Sequence, residues 1–183
     1  MIEIRSLTVL NLTDLRRVVS GYSSERKYVV KYTSEEDGTS FNLQLVNHDK
    51  PFVKKFDHDD ILQRYERLLD DGYSFGAYDE KMLVGIVVGE PHEWNLSLWI
   101  WEFHVAKAYR KMGIGKQLME CVAEKAKRAG FRTIVCETQN TNVTAVRVYS
   151  KLGFRLEGID ISYYSNNDYP NGEIAVFMKR RLQ

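Results

Sequence analysis

Six residues between an apolar run and an amphipathic one, Arg110-Lys111-Met112-Gly113-Ile114-Gly115, combine two cations with two positions that carry no side chain. At the mouth of a helix, the backbone N–H groups of Arg110 through Gly115 can converge on one anion, and a pyrophosphate suits such a loop. Gly-x-Gly by itself is also ordinary turn geometry. The dinucleotide fingerprint needs a third glycine where Leu118 stands, and the P-loop needs Ser or Thr where Gln117 stands, so neither standard nucleotide motif applies. Immediately before the loop, the apolar stretch LSLWIWEFHV carries Glu102 and His104. A carboxylate there is costly to bury unless it meets solvent, a partner or a substrate cation, and histidine is the side chain best suited to exchange protons near neutrality. In a regular strand Glu102 shares a face with Leu98, Ile100 and His104, opposite Trp99, Trp101, Phe103 and Val105. Further acids, Glu137 and the group Asp57, Asp59 and Asp60, can attract a cationic ligand; the Asp57 group equally suits the start of a helix.

The elements that must position these residues follow from periodicity. Residues 1–7 alternate weakly as a strand, and NLTDLRRVV carries Asn11 or Thr13 as a cap ahead of Leu15, Val18 and Val19 at helical spacing. Two β-rich runs flank Glu-Glu-Asp-Gly and form a hairpin over 28–46. DHDDILQRYERLLDDG predicts one helix with Ile61, Leu62, Tyr65, Leu68 and Leu69 on its buried stripe, stopping at Gly72. Strands near 73–78 and 83–88 precede the LSLWIWEFHV strand; a helix from about Gly115, a strand FRTIVCETQ, a helix opening at Asn142 and two final strands complete the order. A mostly antiparallel sheet meeting a strand-helix-strand unit is the implied α/β (α+β) architecture. The absence of a linker rich in Pro, Gly or Ser predicts one domain over 1–183.

The loop resembles the Arg/Gln-x-x-Gly-x-Gly/Ala motif of the GNAT superfamily of acetyl-CoA-dependent N-acetyltransferases. NVTAVRVYSKLGF resembles that superfamily's Asn-x-x-Ala-x-x-x-Tyr-x-x-x-Gly-Phe signature, matching at Asn142, Ala145, Tyr149, Gly153 and Phe154. Within the superfamily the chain is similar to streptothricin acetyltransferases in Trp94-Asn95, in Glu137-Thr138-Gln139 and in Ala175-Val176-Phe177, clearly from about Phe75 onward. The resemblance implies a GNAT-type mixed sheet of about six or seven strands flanked by helices, with central splayed strands holding acetyl-CoA. It implies a variable acceptor-side half at 1–72 and a cofactor-binding core at 73–183, with cofactor contacts at Val105, at Arg110, Lys111, Met112, Gly113, Ile114, Gly115 and Lys116, and at Asn142, Ala145 and Tyr149. The Arg110 side chain is open between a phosphate contact and a solvated loop position. By resemblance Tyr149 protonates the departing thiolate, and a backbone amide near Val105 meets the carbonyl oxygen.

Acetyl transfer to an amine also needs a base, for which Glu102 is the first candidate and His104 the second. Relatives that carry a carboxylate base a few residues earlier on this strand have no counterpart here, and a bulge, frequent in the superfamily, would alter the faces assigned above. Glu102 and Glu137 are the candidate acceptor contacts. The expected acceptor is a small cationic amine of streptothricin type. A peptide or protein amine, N-terminal or lysine, and a non-catalytic coenzyme A sensor are the alternatives. A homodimer through the C-terminal strands is allowed by the resemblance and left open by the residues.

Composition narrows the remaining classes. With 26 Lys+Arg against 25 Asp+Glu, the net charge of +1 offers no electrostatic footprint for nucleic acid or an anionic membrane, so no nucleic-acid or membrane partner is expected. No segment reads as a signal peptide or membrane span, which makes the expected location cytoplasmic. Cys121 and Cys136 have neither metal nor redox spacing and are expected as reduced thiols, and His48, His58 and His92 show no ligand spacing, so no metal is expected.

Overall fold

The computed structural model describes residues 1–182. In chain order the elements are β1 (Ile2–Ser6), α1 (Leu12–Val18), β2 (Tyr22–Glu35), β3 (Gly38–Lys54), α2 (His58–Tyr65), β4 (Phe75–Asp79), β5 (Met82–His92) and β6 (Ser97–Val105). α3 (Ile114–Arg128), β7 (Thr133–Gln139), α4 (Val143–Lys151), β8 (Arg155–Asp160) and β9 (Ala175–Arg181) follow. Two sheets form, one of seven strands in the order β1-β4-β5-β6-β7-β9-β8 and one of two, β2-β3. The larger sheet is antiparallel in the β1-β4, β4-β5, β5-β6 and β8-β9 pairs and parallel between β6 and β7.

The chain divides into two compact units. The first holds Met1–Gly21, Lys55–Cys136 and the C-terminal residues from Arg180. Its core joins Leu7, Leu10, Leu15, Val18 and Val19 to Ile61, Tyr65, Leu68 and Leu69, and both groups to Leu83, Ile86 and Val88 of β5. The apolar stripe read from DHDDILQRYERLLDDG is therefore buried as predicted, but the α-helix ends at Tyr65 and its last turn, Glu66–Leu69, tightens to a 3-10 helix. Asp57 caps α2, accepting from the backbone N–H of Asp59 and Asp60, while Asp60 pairs with Arg64 at 2.8 Å. The Asp57 group thus serves the helix start. On the other face of the sheet Leu118 of α3 lies over Gly85, where an added Cβ would meet its Cδ1 at 3.1 Å.

The second unit holds Tyr22–Lys54 and Glu137–Lys179. The predicted hairpin is present with a two-residue turn at Glu36-Asp37, but its strands run well past 28–46, to Tyr22 and Lys54. A register break between Ser24 and Arg26, which leaves residues 48–51 of β3 outside the pairing, accounts for the missed ends, because it interrupts the period-two pattern. Asn140 holds this unit together. Buried to 4% exposure, its amide donates to Tyr28 O at 2.8 Å and accepts from Ile174 N at 2.9 Å, and its own N–H bonds Ile174 O. Cys136 is buried and Cys121 partly exposed.

Leu15 is fully buried in the first unit's core. Replacing it with Ala removes its methyl contacts and leaves a cavity, so Leu15→Ala is expected to lower unfolding free energy by about 3 kcal/mol in urea titrations.

Candidate active site

After β6 the chain makes a short 3-10 turn, Lys107–Tyr109, and enters α3 through Gly113. Arg110 N–H bonds Lys107 O, so this amide belongs to the turn and not to the predicted cradle. Its guanidinium bonds Val105 O and Ser20 Oγ, both at 3.0 Å, and so braces the loop against the end of β6. Lys111 and Gly113 adopt φ of +65° and +81°, the left-handed region that suits glycine. The first α3 bond runs from Gln117 N to Gly113 O, which leaves the N–H groups of Ile114, Gly115 and Lys116 ahead of it. Asn11, Asp57 and Asn142 cap α1, α2 and α4 with their side chains, whereas Gly113 gives α3 no side-chain cap. Space beside Gly113 is open, the nearest atom to an added Cβ being Gln117 Nε2 at 3.9 Å. Gly115 has a different role: a Cβ there would meet Phe103 Cζ at 3.2 Å, so its bare backbone lets α3 press on β6. Of the predicted loop contacts, Lys111, Met112, Gly113 and Lys116 are exposed and Ile114 is core. The residues fit an anion such as a pyrophosphate.

β6 corrects the face predicted for Glu102. Val88 pairs with Glu102 but Gly89 pairs with Ile100, so Trp101 is an extra residue in the ladder, a bulge. Directly opposed residues share a face. Glu102 and His104, opposite Val88 and Ile86, therefore lie with Trp99 and not with Leu98 and Ile100. They face the α1–α2 core. His104 Nε2 stands 2.5 Å from Glu102 Oε2, with their side chains 18% and 11% exposed. An ionised carboxylate only accepts, so the imidazole N–H donates and orients Glu102. The parallel β6-β7 pairing stops at Ile100–Cys136, one residue before the bulge. Residues 101–105 thus carry their second backbone edge outside that ladder.

In the second unit the Asn142-to-Phe154 signature spells out one capped helix. Asn142 Oδ1 accepts from Ala145 N at 3.1 Å. At the other end Phe154 N bonds Tyr149 O, Gly153 N bonds Ser150 O, and Gly153 sits at φ +87°. That is a Schellman stop, completed by the Tyr149 and Phe154 rings 5.6 Å apart. Tyr149 is buried in the last turn of α4. Glu137, near the end of β7, accepts from the Tyr164 hydroxyl. Beside it Tyr22 OH contacts Thr141 Oγ1 at 2.7 Å and Glu173 Oε1 at 3.1 Å, and Lys54 Nζ pairs with Glu173 Oε2 at 2.5 Å. Burial first, and the facing Glu137 carboxylate second, push the Tyr164 phenol well above the usual tyrosine range.

A model of the acetyltransferase (GNAT) family matches residues 40–154. The chain belongs to the GNAT acetyltransferase family. It is 34% identical to Streptothricin acetyltransferase A of Bacillus subtilis (strain 168) over 70% of this chain and 72% of that one. A crystal structure of Nourseothricin acetyltransferase superposes with TM-score 0.76 and 28% identity, covering 100% of this chain and 99% of that one. A Bacillus anthracis str. Ames structure in complex with acetyl coenzyme A shares the fold at TM-score 0.74 and 22% identity, covering 99% of each chain. This GNAT acetyltransferase carries no helix long and apolar enough to cross a membrane among its described residues.

Sequence reasoning missed Tyr164, Tyr22, Lys54 and Glu173 around Glu137, because they lie up to 151 residues apart in the chain. It also missed Tyr65 as a neighbour of Glu102. The only available signal was Tyr65 itself, a hydroxyl on an otherwise aliphatic stripe. Burial, then the Glu102 charge, raise the Tyr65 phenol to about 12. A raised folded-state pKa gives stability that is full below the unfolded tyrosine value and lost as pH rises through the folded one. Between pH of about 10 and about 12, the GNAT enzyme is therefore expected to lose up to about 3 kcal/mol through this residue. Denaturant melts of Tyr65→Phe should show a shallower alkaline decline than wild type, and equal slopes would remove the assignment.

Proposed function

We propose that this GNAT enzyme transfers acetyl from acetyl-CoA to a primary amine of a small cationic molecule of the streptothricin type. The observation that carries the reading is the Glu102–His104 pair on the bulged strand. An alkyl ammonium is almost fully protonated at neutral pH, so transfer requires a group that first holds the cation and then takes its proton. Glu102 meets both needs, since His104 occupies only Oε2 and fixes the rotamer. The likeness to streptothricin acetyltransferases supports the acceptor class, as does Glu137 with its tyrosines in the second unit.

The loop from Lys111 to Lys116 would hold the pyrophosphate of acetyl-CoA, and the second edge of residues 101–105 would pair with its amide-bearing arm. Acetyl-CoA supplies an acyl group on a sulfur leaving group. Glu102 removes the amine proton, which exposes the nitrogen lone pair for attack at the acyl carbon. A backbone N–H near Val105 meets the carbonyl oxygen as it gains charge. Tyr149 would donate its hydroxyl proton to the sulfur as the carbon–sulfur bond breaks, and the second proton lost by the nitrogen on forming the amide would pass to solvent, from which Tyr149 is reprotonated. In this reading Asn142 and Ala145 shape the α4 entrance, with Asn142 Oδ1 already committed to Ala145 N–H.

The test is acetyl-CoA-dependent thiol release against streptothricin, polyamines, aminoglycosides and peptides with free amines. Turnover is expected on streptothricin, with Glu102→Gln lowering kcat at least tenfold and Tyr149→Phe by about a hundredfold, in the range of single acid or base removal. Turnover on peptides alone would overturn the acceptor class. Wild-type kcat in both variants would overturn the residue roles.

A further inference from the structure

On the face of β5 and β6 that carries Glu102, a second carboxylate stands beside a row of stacked rings. Glu90 is directly opposite Trp99, one diagonal step from the Val88–Glu102 pair, which puts the two glutamate Cα atoms roughly 8 Å apart. Trp101, displaced by the bulge, donates its indole N–H to Glu90 Oε2 at 2.6 Å, and His92 Nε2 reaches the same oxygen at 3.4 Å. The rings form a continuous wall: His92 on Trp99 at 5.2 Å, Trp99 on Trp101 at 5.8 Å, and Trp101 on Tyr65 at 5.9 Å. Glu90 keeps 29% of its side chain exposed, and Trp99 and Trp101 are half-buried.

An indole N–H needs one acceptor oxygen, and a glutamine amide would supply it as well as a carboxylate does. The negative charge of Glu90 is therefore surplus to that bond. The Trp101 and His92 donors meet Glu90 on Oε2, and the His104 donor meets Glu102 on its own Oε2. Two carboxylates separated by an apolar aromatic track match a ligand with two cations separated by methylenes.

We infer that Glu90 binds the remote ammonium group of a diammonium or polyammonium acceptor whose reacting amine lies at Glu102, with the methylene spacer along Trp99 and Trp101. The inference rests on the proposed acceptor class and narrows it to amines bearing a second positive charge on a flexible arm. Glu90 is a specificity residue in this scheme and takes no part in proton transfer.

Isothermal titration calorimetry of the full chain at fixed ionic strength tests it, with spermine as the probe and n-butylamine as the single-charge control. Wild type is expected to bind spermine at least tenfold more tightly than n-butylamine. That ratio should fall at least fivefold in Glu90→Gln, which keeps the acceptor for Trp101, and in Trp99→Leu. Glu124→Gln, on the exposed side of α3 and 67% exposed, should leave it unchanged and so separates the site from diffuse attraction to surface acids. Equal spermine affinity in wild type and both variants, or no preference over n-butylamine, overturns the inference. Thiol release with streptothricin is read separately: transfer that is insensitive to Glu90 sinks this inference alone, whereas absent transfer with Glu90-dependent spermine binding sinks the acceptor reaction and keeps the subsite.

Discussion

One extra residue, Trp101, governs the chemistry of the central strand. In an uninterrupted antiparallel pair, opposed residues keep their parity from end to end. Here Ser97 and Trp99 share the face of His92 and Glu90, and without the bulge Trp101 and Phe103 would continue it. The bulge hands those places to Glu102 and His104 and sends Phe103 and Val105 to the α3 side, where Phe103 meets Gly115. The β6-β7 ladder ends at Ile100, the residue before the bulge. A single irregularity thus coincides with the point where one backbone edge is released and the carboxylate changes sides.

The helix ends divide the same way between shape and chemistry. Asn11, Asp57 and Asn142 each spend a side chain on the first turn of a helix. Among the described residues, α3 alone of the four α-helices enters through a glycine with open space around it. Satisfying those first N–H groups internally would fill the place proposed for the pyrophosphate. The signature around α4 has the opposite character. Asn142 caps it and Gly153 with Phe154 stops it, so most of the motif builds a short helix of fixed length.

What could be read from the sequence was local. The loop from Arg110 to Gly115 and the helix from Asn142 to Gly153 are each defined by contacts within about one helical span, so spacing alone exposes them. The buried stripe of residues 61–69 was legible for the same reason, although its tightening after Tyr65 was not, because 3.6- and 3.0-residue turns bury nearly the same positions over so short a span. The face of Glu102 was misread because a bulge is a property of two strands, and its one local sign, Gly89 inside the apolar β5 run, does not say which strand carries the extra residue. Nor could the surroundings of Glu137, which depend on Tyr22, Lys54, Tyr164 and Glu173 arriving from three segments of the chain.

In the proposed reaction, the placement of Glu102 would reconcile binding of the amine with removal of its proton. A carboxylate only 11% exposed beside aromatic rings loses much of its hydration, and a substrate ammonium restores that loss by pairing with it. Yet an ammonium held too firmly keeps its proton and cannot attack. His104 donates to the same carboxylate and would moderate that pairing by spreading the negative charge over two partners. In that reaction the surrounding rings would act on the substrate in the same sense, because a low-dielectric wall disfavours its charged form and would ease release of the proton to Glu102. A more exposed glutamate would bind the cation through water and gain little on the neutral amine. One sealed among aliphatic residues, as Leu98 and Ile100 are, could not be reached by substrate at all. The bulge puts the carboxylate between those extremes.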